Sequence, residues 1–174
     1  MQPVSGAEPV VRVAGPGDVP AVCRFGEEHV PPHYTPLIGA EAAAAQVRDW
    51  WDEPSIGAAV AEGLVVVAEA GGQLLGVAQR GWFAGHHVVW KLYVHPDHRS
   101  QGLGSRLLDA VIRQLPNDAQ RLRIEHFAAN ERAGAFYERV GFAVERIEPS
   151  PTGDPALAVV WRARRLDLQG GDQV

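Results

Sequence analysis

The stretch Arg99-Ser100-Gln101-Gly102-Leu103-Gly104 follows a strand-like run, Trp90 to Val94, and opens an apolar-periodic helix, Leu103 to Leu115. Two glycines within six residues let the backbone turn tightly and come close to a ligand. The helix start adds unpaired N–H groups with the helix dipole behind them. Together they form an anion cradle that a diphosphate would fit. The same hexapeptide also reads as a strand-to-helix turn that binds nothing, so its surroundings must decide.

Upstream of the turn, Leu64 to Ala70 and Gln73 to Phe83 are strand-like and joined by Gly71-Gly72, a connection that closes a β-hairpin. Gly85 marks the next turn, and His86 to Val94 is rich in β-branched and aromatic residues until Pro96 stops it. Earlier still, Val10 to Ala14 alternates as a short strand. Gly15-Pro16-Gly17-Asp18 breaks it, and Asp18 is suited to cap a helix to about His29. The prolines of Val30 to Pro36 argue against regular helix there; Glu41 to Trp51 resumes one, ended by Pro54.

Downstream, Leu103, Leu107, Leu108, Val111, Ile112 and Leu115 form an amphipathic stripe that must pack on the sheet. Arg121 to Phe127 reads as a strand. Asn130 can cap a helix to Val140, with Gly141 placed to stop it, and Phe142 to Ile147 and Ala156 to Ala163 complete the sheet. The element order is strand, two helices, three antiparallel strands, helix, strand, helix, two strands. It predicts an α+β (mixed α/β) fold with one central, mostly antiparallel sheet and helices on both faces. One domain is expected over residues 1–174, its core about 10–165 and its tail, 166–174, frayed. A dinucleotide-binding order is excluded, because Gly102-Leu103-Gly104 lacks the third glycine and follows the wrong strand.

Composition narrows the partners. The chain has 174 residues and a net charge of −5, with no dense Lys/Arg stripe, so no nucleic-acid partner is expected. Lys91 is the only lysine, an observation that points to no function by itself. The N-terminal residues do not resemble a signal segment and no apolar run approaches a membrane span, so the expected setting is cytoplasmic, without a membrane partner. Cys23, the only cysteine, excludes an internal disulfide and a zinc site built on paired thiolates, and reads as a small core residue. His86, His87, His95 and His98 lie at a strand's two ends and do not bring three ligands to one point, so no metal site is expected.

With these residues in place, the chain resembles the GCN5-related N-acetyltransferases (GNAT). The family signature [RQ]-x-x-G-x-[GA] reads here Arg99-Ser100-Gln101-Gly102-Leu103-Gly104. Leu92-Tyr93-Val94-His95-Pro96 looks like the family's strand end and turn, and Leu107-Leu108 resembles the apolar pair that follows. A second stretch, Asn130 to Phe142, is similar to the element N-x-x-A-x-x-F-Y-x-x-x-G-F. The resemblance spans about residues 10–165. It implies a GNAT-like acyl-CoA N-acyltransferase fold and an enzyme that transfers the acetyl group of acetyl-CoA directly to a primary amine of a small molecule. Acetylation of a protein N-terminus or lysine, transfer of another acyl group, and a non-catalytic acyl-CoA-binding module are the alternatives. A homodimer is left open.

By resemblance, the amides of Arg99, Ser100, Gln101, Gly102, Leu103 and Gly104 hold the diphosphate of acetyl-CoA. Main-chain groups of Leu92, Tyr93 and Val94 pair with the pantetheine arm as another strand would. That pairing needs the strands His86 to Val94 and Arg121 to Phe127 to splay apart, which the resemblance also implies. Tyr137 resembles the family tyrosine that protonates the departing sulfur, a role open to a phenol with a pKa near ~10; as part of the apolar stripe of a short helix it would do nothing of the kind. Asn130 caps that helix or hydrogen-bonds the pantetheine.

The base is less legible. Some family members carry a glutamate at the position of Val88. His87 beside it points to the opposite face unless a bulge resets the register, so a water-mediated base is an equal candidate. Glu27, Glu28, Glu69 and Glu125 read first as solvated surface. The acceptor segment implied by the resemblance, about Glu27 to Trp51, offers Glu27, Glu28, His33, Tyr34, Trp50 and Trp51. It reads equally as a surface loop with two tryptophans packed against the sheet.

Overall fold

A computed structural model describes residues 6–167; the part of the expected frayed tail from residue 168 on lies outside them. Seven strands form one sheet in the order β1-β2-β3-β4-β5-β7-β6. The strands are β1 (Val10–Val13), β2 (Val65–Ala70), β3 (Gln73–Phe83), β4 (His86–Val94), β5 (Arg121–Phe127), β6 (Ala143–Glu148) and β7 (Val159–Arg165). The helices are α1 (Val19–Ile38), α2 (Ala40–Trp50), α3 (Glu53–Ala61), α4 (Leu103–Arg113) and α5 (Glu131–Arg139). The mixed, mostly antiparallel sheet follows the sequence expectation. The chain divides into two compact units: one runs to Gln79 and adds Lys91–Val111, and the other is Arg80–Trp90 with the chain from Ile112.

In the first unit the hairpin register, Ala70↔Gln73, leaves Gly71 and Gly72 as the loop. Both adopt positive φ, 57° and 80°, which is why glycine is needed twice. Strand alternation then sorts the core. Val65, Val67 and Val77 join Val22, Phe25, Val30, Trp51, Ile56 and Val60 of the α1–α3 region in one apolar cluster. On the other side of β3, a Cβ added to Gly76 would lie 2.8 Å from Leu107 of α4. Helices therefore cover both faces of the sheet within this unit, as the sequence predicts.

Two expectations fail here. The segment Val30 to Pro36 is helical, because α1 continues through Pro31, Pro32 and Pro36 to Ile38. Each proline removes one i→i−4 bond, and the carbonyls so released belong to Glu27, Glu28 and Pro32, all exposed, where water can take over. Burial of Val30 and packing of Tyr34 on the core hold the helix across the gap. Pro54 begins a helix instead of merely ending one. Asp52 accepts from the Ser55 N–H at 2.9 Å and Pro54 sits in the first turn of α3, a capping pattern already present in the sequence Asp52-Glu53-Pro54-Ser55. The last strands also fall later than expected. β7 begins at Val159, after a 3-10 turn at Pro155–Leu157, and enters between β5 and β6.

In the second unit β5 pairs along its whole length with β7, from Arg121↔Arg165 to Phe127↔Val159. It pairs with β4 in parallel at His87↔Leu122, Val88↔Arg123 and Val89↔Ile124. Leu92, Tyr93 and Val94 thus lie beyond that ladder. Trp161 stacks on Phe83 at 6.0 Å and meets Trp90 edge-on at 6.4 Å. Among the described residues no helix is long and apolar enough to cross a membrane.

Candidate functional site

The glycine turn has the backbone an anion cradle needs. After β4 a short 3-10 turn, Pro96–His98, delivers Arg99 in an extended conformation, and Ser100 and Gly102 then both take positive φ, 62° and 80°. A non-glycine residue in that region is uncommon outside functional turns. The first α4 hydrogen bond runs from the Arg106 N–H to the Gly102 carbonyl at 3.1 Å, so the N–H groups of Leu103, Gly104 and Ser105 precede the helical ladder. Ser100, Gln101 and Gly102 are exposed, and a Cβ at Gly102 would enter open space. The residues present fit a diphosphate: exposed donors, a helix N-terminus and a turn with room around it. Arg99 turns its Nε back to the Val94 carbonyl at 3.3 Å, tying the turn to the end of β4.

The region assigned to the acceptor resolves into a wall and a surface. Trp51 is 3% exposed and fills the space above Gly26, where an added Cβ would sit 2.4 Å from the ring; Trp50 is exposed. Only one of the two tryptophans therefore packs inward. Tyr93 lies edge-on to Trp51 at 5.4 Å, to Tyr34 at 6.2 Å and to His33 at 6.3 Å. Glu27 and Glu28 are exposed. Beside the wall, His29 meets His95 edge-on at 4.6 Å, and burial lowers its pKa. Among the described residues no group of three or more His, Cys, Asp or Glu is placed to hold a metal.

Lys91, to which the sequence assigned no role, is buried under this wall. Its Nζ donates to Gln79 Oε1 at 2.8 Å and lies 5.4 Å from the Trp51 ring centre. Burial pushes its pKa down to about 8. The available signal was its place between Val89 and Tyr93 in a period-two strand, where a lone cation faces inward.

In the second unit Tyr137 and Asn130 are both buried. Asn130 caps α5 with its side-chain oxygen, which accepts from the Ala133 N–H at 3.3 Å. Tyr137 packs against Phe136, Phe142 and His126, with ring centres 5.6, 6.0 and 5.9 Å away. His126, missed in the sequence although it shares the inward face of β5 with Leu122 and Ile124, has both ring nitrogens engaged. Nδ1–H donates to the Phe127 carbonyl at 2.9 Å, and Nε2 accepts from Arg162 Nε at 3.0 Å. Burial first, and the Arg162 charge with it, lower its pKa, so it is a neutral support beneath Tyr137. Gly134 admits that ring: an added Cβ would lie 3.1 Å from it.

The base candidates separate by environment. His87 keeps the face opposite Val88, since the β4–β5 register runs through both without a slip; it packs on Trp82 at 4.7 Å, and burial lowers its pKa. Glu69 is bound to Arg12 at 3.0 Å. Glu125 is half-buried, and its pKa is raised by burial and then by the charge of Glu148. That environment departs from the solvated-surface reading and suits a carboxylate that takes up a proton. Cys23 packs against the core with its pKa raised by burial, as an inert thiol would.

Known proteins share this fold and a central stretch of this sequence. Residues 61–144 match the family described as acetyltransferase (GNAT) domain. The chain is 33% identical over 122 residues to a mycothiol acetyltransferase of Propionibacterium freudenreichii subsp. shermanii, covering 65% of this chain and 35% of that protein. It is 33% identical over 86 residues to the L-amino acid N-acyltransferase MnaT of Escherichia coli K12, covering 46% of this chain and 50% of that one. The chain thus spans between about a third and a half of the curated relatives it matches. The crystal structure of the PaiA N-acetyltransferase of Thermoplasma acidophilum in complex with coenzyme A superposes with a TM-score of 0.77 at 15% identity, over 91% of this chain and 99% of that one. The chain thus shares the fold of a GNAT N-acetyltransferase, and residues 61–144 are similar to that family's domain.

Proposed function

We propose that this protein is a cytoplasmic N-acetyltransferase that moves the acetyl group of acetyl-CoA directly to a primary amine of a small molecule. The observation that carries the reading is the Arg99–Gly104 turn, with Ser100 and Gly102 at positive φ leading into the unpaired amides of α4. The relatives' names, an acetyltransferase and an amino acid N-acyltransferase, support it, as does the coenzyme A bound in the structural neighbour.

In this reading the amides of Arg99 to Gly104 bind the diphosphate. The main chain of Leu92, Tyr93 and Val94 aligns the pantetheine arm, with the Asn130 side chain as a further contact. Acetyl-CoA supplies a thioester whose C–S bond breaks as the amine nitrogen takes the acetyl group. Tyr137 gives its phenolic proton to the departing thiolate, and a water-mediated base accepts the proton the amine loses.

Release of free coenzyme A across a broad panel of amines tests the activity, and calorimetry with acetyl-CoA tests the binding. Gly104→Glu places an anion in the cradle and should weaken acetyl-CoA binding about 100-fold; normal binding by the folded variant would remove the site assignment. Tyr137→Phe should lower kcat about 100-fold with acetyl-CoA affinity unchanged.

A further inference from the structure

Lys91 is the only lysine of the chain and is 6% exposed. Among the described residues its hydrogen-bond acceptor is the neutral amide of Gln79, and its Nζ also lies over the face of Trp51. Among the described residues no carboxylate forms an ion pair with it. Asp52, whose charge acts on it through space, commits both oxygens to Ser55, at 2.9 Å to the N–H and 2.7 Å to the hydroxyl. A buried ammonium has three N–H groups and normally carries a counter-ion, since an unpaired interior charge is costly. Here one N–H is satisfied and the charge is not. The residue stands two positions past Val89, the last β4 residue paired to β5, on a face lined by Trp51, Tyr93 and Tyr34.

We propose that Lys91 is the seat for an anionic group of the acceptor, which makes the acceptor an amine that also bears a carboxylate, an amino acid. The proposal rests on the amine-acylation reading above. A single compact ammonium between aromatic walls matches a monoanion; a phosphate dianion calls for several donors or an arginine fork, and none is shown beside Nζ.

The lone lysine makes the test direct, because protein labelled with isotopic lysine gives one side-chain amine signal. Its titration midpoint, about 8 without ligand, is followed in the presence of coenzyme A with each of the common L-amino acids and with the matching amides. At least one amino acid should raise the midpoint by about one unit or more, because a counter-ion favours the charged amine, while its amide should not. In turnover, Lys91→Met should raise KM for that amino acid about tenfold or more and leave the amide's KM unchanged, and Lys91→Arg should retain the preference. A midpoint that no amino acid moves overturns the proposal. So does a Lys91→Met variant that loses amide and amino acid turnover alike without rescue by arginine, which would mark a proton-transfer or packing role. A moving signal without acetyl transfer would instead sink the acylation reading and leave the anion seat standing.

Discussion

Arg12 and Lys91 are cations on strands of the same unit, and they are held in opposite ways. Arg12 donates to both oxygens of Asp18, at 2.7 and 2.9 Å, and to both oxygens of Glu69, at 3.0 and 3.1 Å; these bonds drive its pKa up and those of both acids down. Lys91 has an amide and a ring, and burial drives its pKa down. The first arrangement is complete without a ligand and ties β1 to β2 and to the start of α1. The second is stable only as far as the surrounding packing sustains an uncompensated charge. Charge placement thus separates architecture from function where residue type alone does not.

Lys91→Met attacks that contrast most strongly. The folded state binds the Lys91 proton more weakly than the unfolded chain, so the penalty is complete below a pH of about 8 and fades as pH rises toward the ordinary value of 10.5. That gap corresponds to roughly 3 kcal/mol. Urea unfolding at neutral pH should show the variant more stable by up to that amount, with the gain vanishing at high pH; a loss at neutral pH would make Lys91 a structural residue like Arg12. Gly26→Ala forces a methyl into the Trp51 ring and should cost about 2 kcal/mol, with a change in tryptophan fluorescence as the wall over Lys91 shifts. An unchanged melting temperature would show that the ring moves freely.

Glu125 extends the comparison to a buried acid. Its folded pKa is raised, so ionisation is penalised at neutral pH and the penalty is relieved as pH falls. Glu125→Gln should stabilise the protein modestly at neutral pH and less in acid. A pH-independent effect on stability would place the carboxylate in solvent. Asp18→Asn should have the smallest effect, a loss under about 1 kcal/mol that shrinks in high salt. Because the Asp18 pKa is lowered, its contribution exists above the ordinary carboxylate range and disappears as pH falls through the folded value. A larger, salt-independent loss would show the Arg12 pairs to be more than a surface clasp.

Much of the sheet was legible because its signals are local. Gly71-Gly72 and Ala84-Gly85 sit at hairpin turns with positive φ, and the bounds of β3, β4 and β5 coincide with the apolar alternation between them. What the sequence hid depends on distant partners. α1 crosses three prolines because Val30 and Tyr34 find a core supplied by residues far along the chain. The cradle was readable for the same local reason as the hairpins, two glycines at a helix start. Lys91 was not, since the ring and amide around it come from the turn after α2 and from β3, and only the fold assembles them.

The insertion of β7 between β5 and β6 has a consequence for synthesis. β6 leaves the ribosome before the strand it pairs with, and all six of its residues are exposed in the finished fold. Until Val159–Arg165 emerge, β5 keeps one open edge bearing Leu122 and Ile124, while Val144 and Ile147 wait beside it without a partner. Closing such an edge late leaves a window for strand exchange between nascent chains. A chain stalled before residue 159 therefore leaves the β5 edge and the β6 strand both without the strand that pairs with them in the finished fold.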